Sequence, residues 1–467
     1  MTSGPKTNLP VGSAAAPAGS PAPLPLPSIT SGGPWAARSA GAPGSPAPAP
    51  APATIRGSGQ TLQSAFIGLF HGTPGRMRLL AILGVIAALL LGGAAANAIL
   101  ASEAAAERAA NTTEQVVRMQ SIQVDLLRAD ALATNAFLVG GLETADARAQ
   151  YDAAMAAVAR NIAAGAAAQP ADAKALGTLA EKVQDYGALV EQARSNNRLG
   201  LPVGARYLTE ASSSLRASAI PVVAEIVKAN EARAQKEFDR SNSSIQLLAG
   251  VAALIVLVLI AVWLARRTHR YLNPSLAGGV LLLVVGLVVA ATTIGNIGTT
   301  TAQVASGLYR DAVDLAHVRT AANDARANES LTLIARGSGQ KYQDAWVAND
   351  KTVRGTLGQI DDASGLTSDW DAYAKAHEQI RAQDDGGQWE QAVELATTPE
   401  AGGSSAAFNA FDEQVTQRRD AASAAAIDQL GKLGGGSTVW AALIAIVSLI
   451  ASWLIVRGIG QRIKEYR

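Results

Sequence analysis

The chain predicts an all-α protein in which four transmembrane helices carry two tandem extracytoplasmic four-helix bundles related by a pseudo-twofold duplication. Three observations lead there. Four charge-free apolar stretches, at residues 79–100, 247–265, 276–297 and 438–456, enclose two long polar segments. Each stretch has the roughly twenty residues a helix needs to cross a hydrocarbon core about 30 Å thick. The polar segments place apolar residues at steps of three and four, the helical period, with no sustained period-two alternation between turns.

The elements follow in order. Residues 1–75 are mainly Pro, Ala, Gly and Ser, too poor in bulky apolar groups to offset chain entropy, and are predicted to be a disordered cytoplasmic tail. The first span, 79–100, is read as a retained anchor, because a long segment precedes it and its apolar core exceeds a signal-peptide core. In the first bundle, 101–246, Met119, Ile122, Leu126, Ala129, Ala133 and Ala136 form one seam, and Leu176, Leu179, Val183, Tyr186, Val190 and Ala193 another. A second span, 247–265, a cytoplasmic turn, 266–275, and a third span, 276–297, lead to the second bundle, 298–437. Its first seam runs through Val304, Leu308, Asp311, Leu315, Val318, Ala322 and Ala325 without a break. Further seams are Trp346, Val353, Leu357 and Ile360; Trp370, Tyr373, His377 and Ile380; and Phe408, Phe411, Val415, Arg418, Ala422 and Ala425. The fourth span, 438–456, ends in a short basic cytoplasmic tail, 457–467. Turns are expected at Gly140-Gly141, Gln169-Pro170, Gly200-Leu201-Pro202, Gly337-Ser338-Gly339, Gly365 and Gly386-Gly387.

Basic clusters set the orientation. Arg76 and Arg78 precede the first span, Arg266, Arg267 and Arg270 fill the turn, and Arg457, Arg462, Lys464 and Arg467 follow the fourth span. All three belong on the cytoplasmic side, which puts both bundles outside the cell membrane and both termini inside. A net charge of +1 over 467 residues, with its basic clusters local to the membrane edges, argues against nucleic acid and for contact with membrane lipid. With no cysteine, the exported bundles must hold together by packing alone.

Catalysis is not expected. The chain has 4 histidines and lacks a Gly-x-Ser-x-Gly elbow, a phosphate-binding Gly-x-x-x-x-Gly-Lys loop and a His-Glu-x-x-His pair, so no cofactor or metal is predicted either. His377 falls on an apolar seam and reads as a packed core residue, and Asp361-Asp362 and Asp384-Asp385 read as helix-end acids. The candidate ligand or partner site lies elsewhere. Continuing the Val304–Ala325 seam puts Glu329 at a core position with Arg326 one turn before it, and the corresponding region of the first half carries Arg128, Asp130 and Ala133. Such charges need partners, either each other or a ligand. Trp346, Trp370 and Trp389, present only in the second bundle, are either core filling or a partner-binding patch. Candidate output residues are Arg266, Arg267 and Arg270 in the turn, and Ile459, Arg462, Ile463 and Tyr466 in the tail, where the isoleucines lie one turn apart on an amphipathic continuation of the fourth span. Gly434-Gly435-Gly436 should loosen the coupling of the last bundle helix to its span relative to Ser241–Leu247.

Two membrane-bounded helical modules, with a first helix such as Val116–Val139 ending at Gly-Gly, resemble the sensor region of bacterial chemoreceptors and related kinases, without a HAMP segment or kinase domain after Val456. The tandem arrangement, the Pro/Ala-rich start, the turn Arg266–Pro274 and the terminal Arg457–Arg467 resemble the GlnX membrane proteins of actinobacteria over residues 75–467. That resemblance implies a transmembrane signalling adaptor between an extracytoplasmic amino-acid-binding lipoprotein of the GlnH type and a cytoplasmic Ser/Thr kinase, protein kinase G. Two other readings stay open: a non-switching envelope scaffold, and a direct small-molecule sensor needing no protein partner.

Overall fold

The computed structural model describes residues 72–139, 143–241, 247–268, 273–400, 402–433 and 435–465. The chain divides into residues 1–61 and 62–467, and everything described belongs to the second unit. The predicted tail up to residue 71, the Gly140-Gly141 turn, Arg270 and Tyr466 lie outside the described residues.

Every regular element described is helical. Helix α1, Gly72–Val139, is unbroken for 68 residues and joins the first span to the first bundle; at 1.5 Å per residue it is about 100 Å long. The first bundle is completed by α2 (Ala145–Ala168), α3 (Ala173–Arg198), and α4 (Val203–Ser214), which passes through one π-helical turn, Leu215–Ala219, into α5 (Ile220–Ser241). Spans α6 (Leu247–Thr268) and α7 (Pro274–Ser306) follow. The second bundle consists of α8 (Leu308–Ile334), α9 (Gln340–Leu357), α10 (Ser364–Asp385), the short α11 (Trp389–Thr397) and α12 (Ser404–Lys432), and α13 (Ser437–Glu465) is the fourth span.

Local chemistry sets several boundaries. Thr144 caps α2 by accepting from the Ala147 N–H, and Asn273 caps α7 ahead of a proline that needs no donor. Gly337 (φ +81°), beside Arg336 (φ +42°), lets the chain reverse between α8 and α9. One boundary departs from expectation: the seam read as continuous from Val304 to Leu308 is broken at Gly307 (φ −111°, ψ −102°), which separates α7 from α8. The last bundle helix, α12, shows a second departure, its buried row running through Arg419 and Ala426 rather than Arg418 and Ala425, because Arg418 instead binds the Asp361 and Asp362 carbonyls at the surface.

Four apolar helices long enough to cross a bilayer make this a multi-pass membrane protein. Their outward faces carry large apolar side chains with nothing over them, Leu90, Leu259, Leu281 and Leu449 among them. Small residues permit their contacts. A Cβ on Gly92 would fall 2.2 Å from the Ser448 Cβ, and the Ser448 hydroxyl donates to the Ala88 carbonyl at 3.0 Å, so α1 and α13 pack nearly backbone to backbone. Gly279 meets the Ala451 carbonyl in the same way and docks α7 on α13.

Each bundle has its own core. Leu126, Leu176, Tyr186, Val190, Leu208 and Val223 fill the first, and Leu315, Trp346, Trp370, Tyr373, Phe408 and Phe411 the second. The bundles touch along α1. Near the membrane, Ala109 and Val116 join Phe238, Val304, Tyr309 and Leu430; at the far end, Leu138 packs with Leu333, Ile380 and Ala392. Between these two apolar clusters the seam is polar.

Candidate functional site

Polar groups along the seam meet because α1 and α8 lie side by side and present helical rows to each other. Asp130 on α1 is fully buried and accepts from Ser212 at 2.6 Å, from the Tyr186 hydroxyl at 3.3 Å and from the Arg216 guanidinium at 2.6 Å. Arg216 also donates to Asp324 of α8 at 2.8 Å, so one guanidinium ties two aspartates from different bundles. Burial works against its charge, but Asp130 and Asp324 outweigh that and hold it firmly protonated. Arg216 sits in the π turn of the α4–α5 helix, an insertion that aims a side chain away from the regular helical position. Asp324 in turn accepts from Asn349 at 2.7 Å. Nearer the membrane, Arg419 donates to Ser121 at 3.0 Å, and Glu231 takes Gln120 at 3.0 Å and faces His317 at 3.6 Å.

Toward the far end the seam opens into a cleft of about 450 Å³. Its first-bundle wall includes Arg128, Leu132 and Asn135, one face of α1, and the N-terminal turn of α2 with Asp146; its second-bundle wall includes Asn323, Arg326, Phe408, Asn409 and Asp412. The volume and the mixture of apolar floor and a few polar groups are those of a small-molecule site. Asp412 is committed: it accepts from Arg319 at 2.7 and 3.0 Å, and although burial raises its carboxyl, those bonds hold it below the ordinary range.

Arg326 and Glu329 form a buried pair in the second bundle. Ser404 donates to Glu329 at 2.9 Å, and His377 Nδ1 faces its other oxygen at 2.9 Å. Burial would raise the Glu329 carboxyl, but Arg326, His377 and Ser404 together hold it below its ordinary value. Arg326 further donates to the Ala396 carbonyl at 2.9 Å and, across the seam, to Asn135 at 3.2 Å. The charges expected to need partners therefore find each other, and Arg326 reaches the cleft where it meets Asn135 and Ser405. Trp346 stacks on His377 with ring centroids 3.7 Å apart, which connects it to the pair, whereas Trp370 donates to Asp350 at 2.8 Å and lies one ring further in. Both are buried at 6% and 0% exposure, so they fill the core and offer no partner patch. Trp389 is half-buried at the bundle's end, donating to the Leu333 carbonyl at 2.9 Å under the Arg336 guanidinium.

The output residues divide similarly. Arg266 and Arg267 are exposed at the end of α6, and Arg462 is helical with its side chain outside the described residues. Ile459 is buried and Ile463 half-buried against the span core with Met77 and Leu276, so the face expected to be gripped by a partner is turned into the spans. The turn and tail meet there, as Asn273 donates to the Gly458 carbonyl at 2.8 Å. Sequence reading missed Arg216 and Asp324, and of the cleft's second-bundle wall it missed Asn323, Asn409 and Asp412. The signal was the repeated Asp-Ala-x-Ala at Asp130–Ala133 and Asp324–Ala327.

No curated protein and no solved structure matches the chain. Residues 105–239, the outer half of α1 through α5, match the family model described as actinobacterial sensor domain, which supports an actinobacterial sensor protein.

Proposed function

We propose that the chain is a non-catalytic transmembrane signalling adaptor that converts a rearrangement of the polar seam into movement of its spans. The observation carrying this reading is that α1 is a single helix whose outer half forms the seam and whose inner half packs on the other spans. No break in α1 separates Asp130 from Gly92, and the seam itself, made of ion pairs between two well-packed bundles, is the kind of interface that repacks. The family match over the first bundle supports the sensing role. Basic clusters support outward bundles and inward termini, and the paired aspartates under Arg216 support duplication of the halves.

The resemblance to GlnX proteins supports the finer assignment: an extracytoplasmic solute-binding lipoprotein as the input and a cytoplasmic Ser/Thr kinase as the receiver, with the end of α6, where Arg266 and Arg267 are exposed, as the output surface. Crosslinking in cells with and without external amino acids, followed by purification of the chain, tests this. The expected result is an outer partner whose yield changes with the amino acid and a kinase on the inner side; partners that never change identify a scaffold. Ser195→Cys and Ser364→Cys are expected to react with an impermeant maleimide in intact cells, and Thr268→Cys only after lysis.

A further inference from the structure

We infer that the cleft between the bundles is a binding site for a small carboxylate carrying a hydrogen-bond donor, with Arg128 as the residue that takes the carboxylate. Arg128 is half-buried on α1 and, among the described residues, has neither a hydrogen bond nor a carboxylate within ion-pairing distance. The other guanidinia of the seam are all engaged: Arg216 by Asp130 and Asp324, Arg319 by Asp412, Arg326 by Glu329. Asp125 and Asp412 lie near enough to feel its charge but neither pairs with it, and a guanidinium held in a cleft with its fork unoccupied matches the geometry of a carboxylate.

The groups around it define the rest of the ligand. Asn323 is 1% exposed, and its amide nitrogen is fixed by the Arg319 carbonyl at 2.9 Å and Asp412 at 3.3 Å, so its oxygen faces away from both and has no donor. That buried acceptor asks for an amine or hydroxyl. Asn135 accepts from Arg326 through its oxygen, which leaves its N–H groups to a second ligand atom. Phe408, with Leu132, supplies an apolar floor for a short carbon skeleton. Of the carboxylates lining the same space, Glu143 is paired with Arg194 and Asp412 with Arg319, so a single unpaired guanidinium with Asp146 in the same lining suits a monoanion better than a phosphate dianion. The cleft volume of about 450 Å³ falls in the range of small-ligand sites.

This deepens the adaptor reading and rests on it for the consequence of binding, since a ligand bridging Arg128 and Asn323 would draw α1 against α8. The test uses the full-length protein in nanodiscs, titrated calorimetrically with L-alanine, L-glutamate, L-lactate, acetate and inorganic phosphate. At least one of the three donor-bearing carboxylates should bind saturably and more tightly than acetate or phosphate. Arg128→Gln, whose thermal melt should match wild type, should weaken it on the order of 10- to 100-fold, as loss of a charged hydrogen bond does. Arg128→Lys should recover part of that loss, and Arg148→Gln, outside the cleft, should change nothing. Absence of binding by all three, equal binding to Arg128→Gln, or tighter binding of phosphate overturns the site. Binding at Arg128 without any change in inter-bundle distance leaves the site standing and refutes the adaptor reading.

Discussion

The two halves join the membrane differently. The first bundle is entered by α1 with no interruption, whereas the second is cut from both of its spans: α7 ends at Ser306 and α8 starts at Leu308 across Gly307, and α12 ends at Lys432, ahead of α13 at Ser437. A continuous helix resists independent movement of its two ends more than a bundle attached through two breaks does. Their cores differ in the same sense. The first is aliphatic around Tyr186 with two buried acids, Asp130 and Asp172, and the second is aromatic and locked by the Arg326–Glu329–His377 cluster. On the proposed adaptor reading, the second bundle is the rigid block and α1 the element that moves against it.

The largest effect expected is on the block. Glu329→Leu removes the carboxylate that satisfies Arg326, His377 and Ser404, and should destabilise the second bundle by about 3–5 kcal/mol, the cost of stranding a buried charge. Thermal unfolding followed by circular dichroism should show the second bundle melting early while the first is unaffected. A single shared transition would show that the bundles do not behave as separate bodies.

Next comes the clamp between them. Arg216→Met should cost about 2–3 kcal/mol, less than Glu329→Leu, because Asp130 keeps the Ser212 and Tyr186 hydroxyls. Amide exchange should accelerate on the facing sides of α1 and α8 and stay unchanged in the core of α3. Gly307→Ala is expected to change stability by about 1 kcal/mol or less, since alanine favours the straight helix that the break avoids. Its signature should be slower amide exchange at residues 306–311 and a weaker output.

The smallest effect is on pH dependence. The Glu231 hydrogen bond raises His317 above its usual 6.5 against the opposing effect of burial. A raised folded value means that the contact contributes fully below pH 6.5 and is lost as pH rises through the higher folded value. Raising the pH from 6 to 8 should therefore loosen the membrane-proximal seam slightly, an effect kept small because the His317 side chain is 47% exposed, and His317→Gln should remove it.

Much of this organisation was legible in the sequence. The spans and seams follow from hydropathy and helical period, and His377 was legible as a core residue from its neighbours Tyr373 and Ile380. The break at Gly307 was not, because a glycine in a helical run costs only about 1 kcal/mol and tertiary contacts decide whether the helix bends there. The clamp was hidden for another reason: Arg216 lies in a π turn that the three-four pattern cannot anticipate, and its two partners come from helices far away in the chain. Arg326 and Glu329 were correctly singled out as charges in need of partners, but sequence could not say that their partners are internal. Ile459 and Ile463 showed an amphipathic pattern without showing which surface it faces, and that surface is the span core.

The central claim, that α1 carries seam rearrangement into the membrane, is tested most directly by paired spin-label distances in this cysteine-free chain. One pair, Ala153→Cys and Ala421→Cys, reports the separation of the bundles, and the other, Leu83→Cys and Val262→Cys, reports α1 against α6 within the spans. Introducing Arg216→Met should shift both distance distributions together. A change in the bundle distance with the span distance unmoved would contradict the account.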